Sequence, residues 1–412
     1  MGRDASLTAP SGQQDALTGA PLSFRLAAKA LERLKAGRVV VELPNGRALT
    51  FEGDEPGPEG RLTLRGWGAA KRILGGGSLG FAEGYVDGDW DTPDLPTLLE
   101  VMSLNYDAML PQLKGNPLTR TAHRFIHARR GNSRAGARKN IHEHYDLGND
   151  FYSLWLDPSM TYSAARFAAP GQPLEDAQRA KYAALADTMN LKPNEHVLEI
   201  GSGWGGFAEY AAKERGARVT GITISREQFD FARKRMFDKQ LADKVDIKLV
   251  DYRDVEGSYD GVASIEMFEA VGERYWPGYF DKIRSVLQPG GRVGLQIITI
   301  RDDLFDHYRR SVDFIQRYVF PGGMLPSVAR LKDEASRAGL AWRDSFTFGV
   351  DYADTLSLWK RRFLGAWDDV SGLSDKFDER FQRLWLYYLA YCEAGFRTGR
   401  IDVAQIGLSP KT

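Results

Sequence analysis

Gly201, Gly203 and Gly205, set in Val197-Leu198-Glu199-Ile200-Gly201-Ser202-Gly203-Trp204-Gly205-Gly206, are residues whose spacing speaks directly of chemistry. The apolar run with its single acid reads as a buried parallel strand, and the glycines open into a helical pattern running on to Ala212. Without side chains the backbone turns sharply and meets a ligand closely, and the first N–H groups of the helix offer donors. That is a nucleotide site. The stretch formally satisfies G-x-G-x-x-G, so a dinucleotide is one candidate. Such a ligand wants an acid about 20 residues on for its ribose. That window here reads Gly221-Ile222-Thr223-Ile224-Ser225, and the acid, Glu199, precedes the glycines instead.

Two other groupings carry titratable side chains. The strand Gly261 to Ile265 ends at Glu266, with Glu269 one helical turn beyond it. The stretch His142 to Tyr152 packs two His and three acids together. On a strand, His142 and His144 point to opposite faces, and the single cysteine, Cys392, is far away, so no metal site is expected.

The elements that hold these residues follow an alternating order. Helix Leu174 to Asn190 leads to the nucleotide strand; then come strand Arg218 to Ile224, helix Arg226 to Lys239, and strand Val245 to Val250 running to Asp251-Tyr252-Arg253. Strand Arg292 to Ile300 follows a Pro289-Gly290-Gly291 turn that closes the helix before it. This is the order of a doubly wound α/β sheet with its ligand across the carboxyl ends of the strands. At 412 residues the chain has room for a second domain. We expect a disordered tail (1–20), a smaller α+β N-terminal domain (21–115), a basic linker (116–141) and a catalytic domain (142–412). In the N-terminal domain a helix from Pro21 to about Lys35 is closed by Gly37, and Asn45-Gly46 turns a hairpin between Val39–Leu43 and Ala48–Phe51. The glycine-, acid- and aromatic-rich run Leu79 to Trp90 is consistent with a structural turn. Near the C-terminus Ser374 is the expected cap of a helix carrying Phe377, Phe381, Leu384, Tyr388 and Cys392 on one face.

Composition names no partner: 55 basic side chains balance 55 acidic ones. Locally the balance fails, because Gly115 to His142 holds seven Lys or Arg and no acid. A solvated linker explains this, and so does contact with anionic lipid headgroups, where each basic side chain is worth about 1 kcal/mol. Nucleic acid is disfavoured, since Phe125 is the one aromatic there able to stack on a base. Met1 to Ala20 lacks the apolar core of a signal peptide and no apolar run approaches a membrane span. The expected location is the cytoplasm, at the inner face of the membrane, and a homodimer is compatible with these features.

Strand-Glu-apolar-Gly-x-Gly-x-Gly resembles the first motif of S-adenosylmethionine-dependent methyltransferases. Over about Leu79 to Gln405 the chain resembles the cyclopropane fatty acid synthases and mycolic acid methyltransferases. The matching pieces are His144 to Phe151, Met160 to Ser163, Glu199 to Gly206, Gly221 to Ser225 with Gln228, Asp251 to Arg253, Met267 to Glu269, Tyr318 to Gly323 and Tyr391 to Phe396. The resemblance implies a class I methyltransferase Rossmann-like fold with C-terminal helical elements at a lipid site. It implies methyl transfer to the double bond of an unsaturated acyl chain in a membrane phospholipid, through a carbocation that then loses a proton. A cyclopropane is the expected product; methyl-branched, methylene or furan-precursor products and a non-catalytic lipid-binding relative are the alternatives. Tyr162, Ser163, Glu199, Gly201, Gly203, Thr223, Gln228, Asp251 and Tyr252 are implied to line the cofactor, with Phe320, Tyr388 and Cys392 beside the acyl cation. In the family a bicarbonate ion, held by a Cys, a Glu, a His and a Tyr, serves as base. Glu269 and Tyr352 match two of these, whereas Ala164 and Gln296 replace the Cys and the His. Gln donates hydrogen bonds to an anion but carries no positive charge. Glu266 compensates on this reading, because paired carboxylates in an apolar cleft repel and one is held ready as a base near neutrality. As a cofactor ligand or a helix cap it would have no such role.

Overall fold

The fold is that of a computed structural model describing residues 19–113, Ser133, Gly136 and 147–411. The basic segment and His142 to Asp146 therefore lie outside the described residues, apart from Ser133 and Gly136. The chain forms two compact units: one gathers the residues up to 113 with Asp378–Thr398, the other the residues from 147 to Phe377 with Gly399 onward. The sequence boundary placed the last helix in the catalytic domain; its packing places it in the first unit.

In the first unit strands β1 (Ala36–Glu42), β2 (Ala48–Glu52), β3 (Glu55–Leu64) and β4 (Trp90–Asp91) form a sheet of order β2-β1-β3-β4. The Asn45-Gly46 hairpin is present, with Gly46 at φ +80°. Two glycine readings are corrected. Gly37 does not close the first helix, which ends at Leu31; it sits inside β1 at φ +73°, where the register to β3 slips, and a Cβ there would stand 2.5 Å from the Pro58 carbonyl oxygen. The run Leu79 to Trp90 is helix as far as Val86, not a turn, because the glycines serve packing: a Cβ on Gly84 would come within 2.9 Å of the Trp90 ring. Helix Glu379–Arg397 joins this unit through Arg383, whose Nε donates to the Tyr85 carbonyl at 2.6 Å while its guanidinium lies over the Tyr85 ring. Its cap is Asp378, whose carboxylate accepts from the Phe381 N–H, and not Ser374, which follows the preceding helix.

The second unit is built on seven strands: β5 (His196–Ile200), β6 (Arg218–Thr223), β7 (Val245–Leu249), β8 (Tyr259–Ile265), β9 (Leu287–Ile300), β10 (Leu340–Thr347) and β11 (Ile401–Pro410). Their order is β10-β11-β9-β8-β5-β6-β7; β11 runs antiparallel to its two neighbours and the other pairs are parallel. Sequence and structure agree on the doubly wound arrangement, with the order reversing between β5 and β8. Pro289-Gly290-Gly291 is no separate turn but a bulge inside β9, where the four residues from Gln288 to Gly291 oppose the single Asp260 of β8.

Side-chain alternation along the strands feeds both faces of this sheet. Leu198, Ile200, Val262, Leu295, Ile297 and Ile406 join a core with Phe268, Trp276, Tyr279 and Phe280. Val197, Val219, Ile247 and Ala263 join a core on the other face with Leu185, Phe207 and Ala211, from helices Leu174–Thr188 and Gly206–Glu214. By alternation Glu199, Gln296 and Gln405 belong to that second face, and all three are buried. No helix among the described residues is long and apolar enough to cross a membrane.

Candidate active site

At the carboxyl end of β5 the loop has the expected backbone. Gly201, Gly203 and Gly205 stand at φ +83°, +52° and +85°, in the left-handed region that an L side chain enters at a cost of roughly 1–2 kcal/mol. A Cβ on Gly203 would meet nothing within 4 Å, so the chain passes an open space there. On the strand, Glu199 is buried and its Oε2 has no partner. Burial pushes this carboxyl up to about 8 against the pull of Lys181, Arg235 and the Ala208 amide. An orphaned carboxyl oxygen beside a bare backbone fits a ligand carrying donors, such as the amine of S-adenosylmethionine.

The other cofactor candidates lie on neighbouring elements. Thr223 ends β6 and donates through Oγ1 to Gln228 Oε1 at 3.0 Å, and Ser225 caps the helix Arg226–Asp238 that carries Gln228. Asp251, past the end of β7, is gripped by Arg253 through Nε at 2.8 Å and Nη2 at 2.6 Å. The Tyr252 hydroxyl is pushed up to about 12 by burial. Tyr162 packs among the rings of Tyr152, Trp155 and Trp359, and Ser163 next to it accepts from the ammonium of Lys181 at 2.6 Å.

The acids one turn apart after β8 are the centre of a network. Glu266 takes φ +48°, a conformation rare for its residue type and costly enough that surrounding contacts must hold it. Its Oε1 accepts from the Ala164 N–H at 2.9 Å and from Gln296 Nε2 at 2.7 Å; its Oε2 accepts from the Tyr352 hydroxyl at 2.6 Å. Glu269, in a short 3-10 turn (Phe268–Ala270), accepts from the Ile298 N–H through Oε1, and its buried Oε2 has no partner. Burial, then the charge of Glu266, pushes Glu269 up to about 8. Burial raises Glu266 as well, opposed by Lys181 and the three donors. Two carboxyls so close hold their charge jointly, and donors decide where it rests. With three donors against one, the shared charge is favoured on Glu266 over Glu269. Ala164, Gln296 and Tyr352 occupy the positions assigned to the bicarbonate ligands, and here they hold the carboxylate of Glu266 instead.

Phe320 follows a π-helical turn (Ile315–Val319), while Tyr388 and Cys392 sit on the last helix of the first unit. Among the described residues no group of His, Cys, Asp and Glu could hold a metal ion. Two buried members of the network, Lys181 and Gln405, escaped the sequence reading. Their signal was polarity in the wrong place: Gln178 and Lys181 fall on the apolar stripe of helix Leu174–Thr188, and Gln405 interrupts Val403-Ala404 and Ile406.

Comparison with known proteins bears on what the site does. Residues 132–406 match the family model described as mycolic acid cyclopropane synthetase. A tuberculostearic acid methyltransferase of Mycobacterium tuberculosis is 42% identical over 346 residues, covering 82% of this chain and 80% of its own. The cyclopropane-fatty-acyl-phospholipid synthase of Escherichia coli is 36% identical over 377 residues, covering 90% and 93%. Among solved structures, a cyclopropane synthase from Mycobacterium tuberculosis superposes with a TM-score of 0.62 at 28% identity, covering 66% of this chain and 97% of its own. A mycolic acid cyclopropane synthase complexed with SAH and CTAB gives 0.62 at 27% identity, with 66% and 97% covered.

Proposed function

This chain belongs to the mycolic acid cyclopropane synthetase family, and on that premise we propose that it methylates the double bond of unsaturated acyl chains in membrane phospholipids. When bound, S-adenosylmethionine supplies an electrophilic methyl group. Glu199, Gly201 and Gly203 would hold it, with Tyr162, Ser163, Thr223, Gln228, Asp251 and Tyr252 as its further contacts. As the π electrons of the acyl double bond form the new carbon–carbon bond, the sulfur–methyl bond breaks with its electron pair going to sulfur, so that S-adenosylhomocysteine leaves and a carbocation remains on the neighbouring chain carbon. Rings at Tyr352 and Phe320 stabilise that cation.

The observation that carries the reading is the Glu266 carboxylate, held by three donors beside Glu269, whose carboxyl burial pushes up to about 8. As base, Glu266 uses the lone pairs of Oε2 that Tyr352 leaves free, takes a proton from the cation, and the released electron pair closes the ring. Bicarbonate has no step in this mechanism, because the donors it would need hold Glu266. Protonation of Glu266 abolishes the base, so turnover falls as pH drops through its raised value.

Loss of a proton from the chain instead of the new methyl group gives a methyl-branched alkene, and a hydride shift that moves the cation onto the methyl-bearing carbon before the methyl loses its proton gives a methylene product. The 42% identical relative, named for tuberculostearic acid, supports keeping that second reading. The reading includes contact of the basic segment with anionic headgroups at the inner membrane face, and a homodimer. The test is incubation with methyl-labelled S-adenosylmethionine and vesicles of unsaturated phospholipid, with mass spectrometry of the acyl chains. Label in a cyclopropane is expected; label absent from every acyl chain overturns the proposal.

A further inference from the structure

We propose that Gln405 is a positioning residue for the proton acceptor, acting through Gln296. The inference rests on the reading of Glu266 as base and adds what keeps that base an acceptor. A glutamine amide has two nearly isosteric orientations, one presenting NH2 and the other C=O. Toward Glu266 only the first is useful. Gln296 presents it: its Nε2 donates to Glu266 Oε1 at 2.7 Å while its own Oε1 accepts from Gln405 Nε2 at 2.9 Å.

Gln405 is fixed in its turn. Its Nε2 also donates to the Lys181 backbone carbonyl at 3.0 Å, an acceptor with no donor form. Rotating the Gln405 amide would set its oxygen against two carbonyl oxygens. The direction of the whole relay is thus set by a helix backbone: Lys181 C=O accepts from Gln405, Gln405 donates to Gln296, and Gln296 donates to Glu266. Strand register supports it, because Gln405 pairs with Gln296 across β11 and β9, and Gln296 pairs with Ile265 across β9 and β8, one residue before Glu266. Gln296 and Gln405 are fully buried, so no bulk water replaces a lost donor.

Without the Gln405 donor, the Gln296 amide is free to turn its oxygen toward the Glu266 carboxylate. That arrangement disfavours the anion, and the base protonates at higher pH. In the full chain, Gln405→Met removes both donors at similar volume. The expected result is a rise of about one pH unit in the acidic limb of kcat, or about a tenfold loss of turnover below it. Affinity for S-adenosylmethionine and the KM for phospholipid vesicles are expected to stay unchanged. A merely structural role would lower thermal stability without moving the limb. Gln405→Leu repeats the measurement if the Met variant does not fold. In a Gln296→Met background the limb is already displaced, and adding Gln405→Met is expected to move it no further. An unmoved limb in an active, folded Gln405 variant overturns the proposal, and so does a full additional shift in the double variant. The premise fails separately: wild-type protein that labels no acyl chain refutes methyl transfer, and Glu266→Gln with wild-type turnover refutes the base.

Discussion

The glycine loop and the Glu266 network stand at the ends of adjacent parallel strands, β5 and β8, and are built by opposite means. The loop is backbone: three positive-φ glycines within five residues, an open space and one buried acid on the strand behind them. The network is side chains, and the partners of Glu266 stand 30, 86 and 102 residues away along the chain. A site made of backbone carries its geometry in its own sequence. A site made of distant side chains has geometry only when the sheet is paired and the helices are packed on it. The loop should therefore fail by obstruction and the network by loss of charge or of a donor.

The largest effect separating the two should come from Glu266→Gln, which keeps size and most hydrogen bonding while deleting the charge. Turnover is expected to fall by about 10²–10⁴-fold, the usual worth of a general base, with cofactor affinity unchanged. Wild-type turnover in bicarbonate-depleted buffer would end the case for Glu266. On the loop, Gly203→Val puts a branched side chain into the open space and a β-branched residue at positive φ. Calorimetry should show affinity for S-adenosylmethionine reduced about a hundredfold, roughly 2.7 kcal/mol, in a folded protein. Unchanged affinity would show that the loop does not face the cofactor.

A smaller effect sharpens the network side. Tyr352→Phe removes one of the three donors to Glu266, a hydrogen bond to a charged group worth about 1.5–3 kcal/mol. About a tenfold fall in kcat is expected, together with an upward move of its acidic limb; a fall without that move would assign Tyr352 to packing. The last effect is on stability rather than on rate. Burial pushes Glu269 up to about 8 in the fold from an ordinary value of about 4.5, so the native state holds a proton that the unfolded chain has released between those values. Its contribution is present below the lower value and lost as pH rises through the upper one. Glu269→Gln binds no proton and escapes that loss. Relative to wild type it should gain at most about 1.4 kcal/mol per pH unit across this window, read from urea midpoints. A gain that does not grow with pH would show that Glu269 is ionised in the fold.

What the sequence by itself determined was local or periodic. Apolar runs and turn glycines marked the succession of strands from β5 to β9 and the loop that opens at Gly201. These features depend on neighbours within a turn or a strand. The misread positions failed for one shared reason: Gly37, Gly84 and Pro289-Gly290-Gly291 look like punctuation, yet their glycines answer to a bulge or to a ring approaching from elsewhere in the fold. Glu266 and Glu269 were legible as a pair at a strand end, but which of them carries the charge was not. That depends on the Ala164 N–H, Gln296 and Tyr352, which reach Glu266 only once β9 lies beside β8 and helix Gly349–Gly365 is packed. Lys181 and Gln405 complete the same lesson. A buried polar side chain is tolerated only where it finds partners, and its partners are set by packing, not by sequence neighbours.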